Sequence, residues 1–150
     1  MNFWELIISN KIINAAVIAW FVAQSLKVVF VLIEKKRLDF SRLVGSGGMP
    51  SSHSSTMMAL VTMIARMHGF GSTFFAISVI IALVVMYDAT GVRRAAGKQA
   101  AVLNKMMENI GVQHDPDYWG GKLKELIGHT PFQVFVGAIL GIIISFLIPI

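Results

Sequence analysis

Four apolar runs, residues 12–33, 54–69, 73–87 and 132–148, constrain the fold of this 150-residue chain more than any other feature. A helix needs about 20 predominantly apolar residues to cross a bilayer core. The first run meets that length, whereas the second is short, opens in a serine cluster and is the least suited to crossing cleanly. Only 14% of the residues are charged, against roughly 25% in an average soluble domain. A chain this small also has too much surface for its volume to hide so much apolar area from water. The expectation is an all-α polytopic membrane helix bundle, with about four transmembrane helices and residues 1–150 forming one integral membrane domain.

Two long connections join the runs. Residues 34–53 carry EKKRLDFSRLVGSGGMPSSH, and residues 88–131 begin with a helical pattern. In that pattern Val92, Ala96, Gln99, Leu103, Met106 and Ile110 share one side, while Arg94, Lys98, Lys105 and Glu108 lie mostly elsewhere. Such a helix suits the headgroup layer or packing on its own bundle. If all four runs span, both connections lie on one side and hold ten of the 13 Lys and Arg residues. The positive-inside rule then makes that side cytoplasmic. The start, MNFWELIISNK, lacks the positive region of a cleavable signal, so the first span is expected to direct insertion. Cysteine is absent, which removes disulfides and thiolate metal sites. A pI of 9.8 would suit a nucleic-acid binder, but the basic residues are interleaved with spans, and that class is excluded. Gly137 and Gly141 form a Gly-x-x-x-Gly, and Ala15, Ala19 and Ala23 recur every four residues. Both mark close helix contacts, within one chain or in a homo-oligomer.

Lys27 is the first chemical anomaly, because a charge inside an apolar run costs several kcal/mol at the bilayer centre. Gln24 precedes it on the same helical side. It either serves a site or snorkels toward Glu34, about 10 Å along the helix at 1.5 Å per residue. GSGGMPSSHSS, residues 45–55, joins glycines that admit close backbone approach to Pro50, Ser51, Ser52 and His53 at a helix start. The free amides there attract anions. DATGVRRAAGKQ, residues 88–99, supplies Arg93, Arg94 and Lys98, of which Arg94 and Lys98 are i,i+4 neighbours able to clamp one phosphate. It is not a P-loop, since Gly91 and Gly97 are one residue too far apart and Gln99 replaces the magnesium-ligating hydroxyl. His129 stands just before the proline that starts the last run. The turn with His114, Asp115 and Asp117 is the remaining metal-like cluster, and no metal ligand is assigned to it.

GGMPSSHS, YDATGVRRAAGKQA and GHTPFQVFVGAILG, in that order, resemble the divergent branch of the type 2 phosphatidic acid phosphatase and vanadium haloperoxidase superfamily. The likeness runs from about Gln24 to Gly141. It implies one phosphate site in which His129 attacks phosphorus and His53 protonates the leaving oxygen. Together with the residues singled out above, the candidates to hold phosphoryl oxygens are Lys27, Ser51, Ser52, Arg93, Arg94, Lys98 and Arg42, with Lys35 competing with Lys27 through its Lys–six–Arg spacing to Arg42. Four positions depart from the pattern: Ser52 replaces glycine, Leu43 replaces the proline after Arg42, Gln133 replaces the acid four residues after the nucleophile, and Leu123 stands where an Arg is expected. The expected function is metal-independent and cofactor-free hydrolysis of a lipid phosphate or isoprenoid pyrophosphate, with membrane lipids as surroundings. The alternative is a non-catalytic lipid-phosphate binder or transporter.

Overall fold

The structure, a computed structural model, describes residues 2–36, 47–110 and 122–150. Arg42 and the His114, Asp115 and Asp117 turn lie outside the described residues. Six helices and no strand are found among the described residues: α1 (Phe3–Ser9), α2 (Lys11–Lys35), α3 (Ser52–His68), α4 (Thr73–Thr90), α5 (Val92–Asn109) and α6 (Pro131–Leu147). Side-chain caps fix where they start. Asn10 accepts from the amides of Ile12 and Ile13, Ser51 from Ser54, Ser72 from Phe75, and Thr130 from Gln133 with Pro131 in the first turn. Each satisfies an amide that has no partner inside its own helix.

α3 lies in the middle and packs against α2, α4 and α6. By length and composition, 11–33 in α2 and 73–109 across α4 and α5 can cross a membrane, and the 17-residue α6 is apolar but shorter. α3 fails the same test for a physical reason. It presents Ser52, Ser54, Ser55, Ala59 and Ala65 to neighbouring helices, and a helix walled by protein needs little lipid-compatible surface. Its neighbours carry that surface instead, with Val17, Phe21, Ile77, Ile80, Val84, Phe135 and Phe146 all exposed. A bundle small inside and apolar outside is the arrangement a bilayer selects.

The small residues do their packing within the chain. Ala15 and Ala19 join Ala59, Met63 and Ile144 in the core. A Cβ on Gly137 or Gly141 would overlap the carbonyl oxygens of Ser51 or Ser55 on α3. The Gly-x-x-x-Gly is therefore the α3–α6 contact, and Ser55 Oγ ties α3 to α2 by donating to the Ala19 carbonyl at 3.2 Å. At the far end, Arg66 donates to the Ser145 and Ile148 carbonyls and sits over the Phe146 ring, closing α6. Gly141→Leu is expected to destabilise the fold by at least the ~1–3 kcal/mol of an overpacked core. Thermal unfolding in detergent checks this; an unchanged midpoint would show that α6 does not rest on α3 there.

Candidate functional site

The starts of α3 and α6 and the end of α4 meet at one end of the bundle. The Ser51 amide donates to the Gln133 carbonyl at 3.1 Å, and the His129 amide to the Ala89 carbonyl at 2.9 Å. These two bonds bring the serine-rich block and the last histidine block together although nearly eighty residues separate them. His53, in the first turn of α3, and His129, two residues before α6, then face each other with ring centroids 6.0 Å apart and planes inclined at 63°.

Lys27 reaches this end from α2. It is 1% exposed, and its ammonium donates to Ser52 Oγ at 3.1 Å. A snorkelling lysine would expose its charged tip, so the burial corrects that reading of the sequence. A cavity of about 870 Å³ opens beside it, lined by Lys27, Arg94, Lys98, His129 and Gln133, by the Gly47–Gly48 backbone and by one carboxylate, Glu125, to which Asn104 donates. The flexible glycine stretch comes close because Gly48 adopts φ +84° above the Lys27 stem.

The sequence-selected cations and hydroxyls separate here. Lys27, Arg94 and Lys98 line the cavity. Arg93 does not; it forms a part-exposed ion pair with Asp88, near enough to His53 for both charges to act on that ring. Ser52 Oγ meets Lys27, whereas the Ser51 hydroxyl accepts from the Ser54 amide and hydroxyl and so serves as a cap. Arg42 lies outside the described residues.

His129 is 2% exposed, and neither ring nitrogen has a well-directed hydrogen-bond partner among the described residues. Burial first, then the Lys27 charge and His53, push its pKa down from 6.5 to about 4; the nearby Gln133 amide and Gly48 backbone oppose this in part. At neutral pH the ring is uncharged and keeps a free lone pair. Gln133 is occupied as well: its side chain accepts from the Thr130 amide at 3.0 Å in a capping box.

The means of holding His129 was not visible in the sequence. The backbone of 123–128 runs antiparallel along α5. Asn104 clamps one end, accepting from the Leu123 amide at 3.0 Å and donating to the Leu123 carbonyl at 2.9 Å and to Glu125 at 2.8 Å. At the other end Gly97 faces the Glu125 and Ile127 carbonyls, and Gly128 (φ +94°) lies on the Arg94 backbone, where no side chain would fit. An asparagine and a glycine within a helix were the available signals, since both are poor helix formers. Asn104→Ala leaves the Leu123 amide and carbonyl without their partner and should cost about 1–3 kcal/mol. Faster hydrogen exchange at the Leu123 amide, with the α2 and α3 amides unchanged, is the expected result; uniform protection would refute the clamp.

The Divergent PAP2 family profile matches residues 8–144. A relative from Bacillus subtilis (strain 168), described as "Uncharacterized membrane protein YuiD", is 40% identical over 148 residues, covering 93% of this chain and 94% of its own. No solved structure matches the chain. With a bundle whose outer surface is apolar, and with a family profile and a membrane-protein relative that each cover most of its length, this chain is a membrane protein belonging to the divergent PAP2 family.

Proposed function

We propose that the protein is a multi-pass membrane phosphatase that removes phosphate from a lipid phosphate or an isoprenoid pyrophosphate through a histidine nucleophile. The observation that carries this reading is the pair of facing histidines, 6.0 Å apart, beside a buried lysine that borders a cation-lined cavity. In the first step a ring nitrogen of neutral His129 forms a bond to phosphorus as the bond to the leaving oxygen breaks. Protonated His53 gives its proton to that oxygen. Water then attacks the phosphohistidine, neutral His53 takes the water proton, and phosphate leaves with both rings restored. Lys27, Arg94 and Lys98 offset the phosphoryl charge in both steps.

Gln133 in place of an acid, and the lack of an Arg six residues before His129, favour a second reading in which the cavity binds phosphate without turnover. Purified protein in detergent, given a panel of lipid phosphates with and without EDTA, separates the two. Phosphate release that survives EDTA is expected; tight binding without release would replace hydrolysis by binding or transport.

From the excess of Lys and Arg in the two long connections we also infer that the site faces the cytoplasm. The loop at residues 69–72 and the segment at 122–128 lie at opposite ends of the bundle, and the native chain has no cysteine to interfere. In intact cells an impermeant thiol reagent should label Gly71→Cys, and Lys124→Cys only after permeabilisation. The reverse pattern would put the site outside.

A further inference from the structure

α5 has three distinct faces. At 100° per residue, Val92, Leu103, Met106 and Ile110 fall within an arc of about 60°, with Gln99 the one polar residue inside it. Gly97, Ala100 and Asn104 lie roughly 120° from that stripe and are buried under the 122–128 segment. Arg94, Lys98 and Lys105 fall roughly 120° further round, and the first two of them line the phosphate cavity. The bundle therefore accounts for two faces. The third, carrying Val92, Leu103, Met106 and Ile110, is exposed.

The position of that stripe indicates what covers it. α5 follows α4 across the single residue Gly91, and α4 presents Ile77, Ile80, Val84 and Tyr87 outward along its length. The exposed stripe of α5 continues this bilayer-facing surface from its first residue, Val92. Lys98 and Lys105, both exposed, stand beside the stripe, where they can meet the phosphates of lipid headgroups.

We propose that α5 lies half-immersed at the bilayer interface, its Val92–Leu103–Met106–Ile110 stripe among acyl chains and its Arg94–Lys98 side overhanging the phosphate cavity. The cavity mouth then stands at headgroup depth. A phosphate carried on a membrane-resident chain meets Arg94 and Lys98 by moving within the bilayer plane, without being drawn into water. The last consequence rests on the lipid-phosphate reading above, whereas the immersion of α5 does not.

Because the chain has no cysteine, a single nitroxide can be placed at Leu103, Met106 or Lys105 of the full-length protein in phosphatidylcholine–phosphatidylglycerol vesicles. Collision rates with oxygen, which concentrates in acyl chains, are compared with those of a water-soluble nickel chelate. Oxygen should dominate at Leu103 and Met106, and the chelate at Lys105. Chelate dominance at all three would place the stripe in water and overturn the proposal. So would spin–spin broadening at Leu103 and Met106 that disappears on dilution with unlabelled protein, which would show a second copy covering the stripe. The measurement needs no turnover, so a protein that binds phosphate without releasing it still gives a decisive answer.

Discussion

His129→Ala is expected to lower phosphate release by about 10³-fold or more, the scale of losing a nucleophile whose partners cannot act alone, and to abolish any phosphoprotein intermediate. His53→Ala should still form the adduct from a substrate whose leaving group needs no proton, because the substituted residue acts on the leaving oxygen and not on phosphorus. Acid-quenched turnover followed by peptide mass spectrometry locates the phosphate. An adduct on His53, or full activity in His129→Ala, would sink the assignment. The same ring sets a pH dependence. Its pKa is lowered to about 4 in the free protein, so kcat/KM should fall on the acid side as pH drops through about 4, where the lone pair is lost, and on the alkaline side as His53 loses the proton it must give, a bell-shaped profile. A bound phosphate dianion offsets the Lys27 charge that helps to lower this pKa, so the acid limb of kcat should lie at higher pH than that of kcat/KM. The folded state also binds fewer protons at His129 than an unfolded chain with the ordinary value of 6.5. That contribution to stability is complete above 6.5 and is lost as pH falls toward about 4.

The apolar runs made the helical membrane bundle legible, because the length and composition of a run report directly on its solvent. α3 was the hardest to read, since its residues answer to neighbouring helices. Its serines look like a poor span until α2, α4 and α6 surround them. Motifs placed His53 and His129 at helix starts, but bringing the rings within 6.0 Å took two backbone bonds, Ser51 to Gln133 and His129 to Ala89. Neither bond leaves a trace in residue type. Arg93 and Arg94 show the limit of spacing arguments. Adjacent residues on a helix diverge by about 100°, and packing alone decides that Arg94 borders the cavity while Arg93 turns to Asp88. The segment held by Asn104 has no periodicity to detect, because an irregular stretch of backbone lying on a helix repeats nothing.

Lys27→Met should separate function from folding. The ammonium is buried and donates to Ser52 Oγ, so the substitution gives up that hydrogen bond while relieving the cost of holding a charge away from water. Methionine has nearly the same length and can follow the path of the lysine stem beneath Gly48. The variant is therefore expected to remain folded in detergent. Activity should fall. Lys27 borders the cavity next to His129 and is the most deeply buried of its cations, so it acts on phosphoryl charge through the least screening. Losing one such preorganised group is worth on the order of 10²–10³ in rate. The substitution also removes a positive charge that helps to keep His129 neutral, so the acid limb of kcat/KM should shift to higher pH in the mutant. A merely structural lysine would show the reverse pattern, with a lower unfolding midpoint and turnover per folded molecule unchanged. Near-wild-type turnover, or an acid limb that does not move, would remove Lys27 from the site.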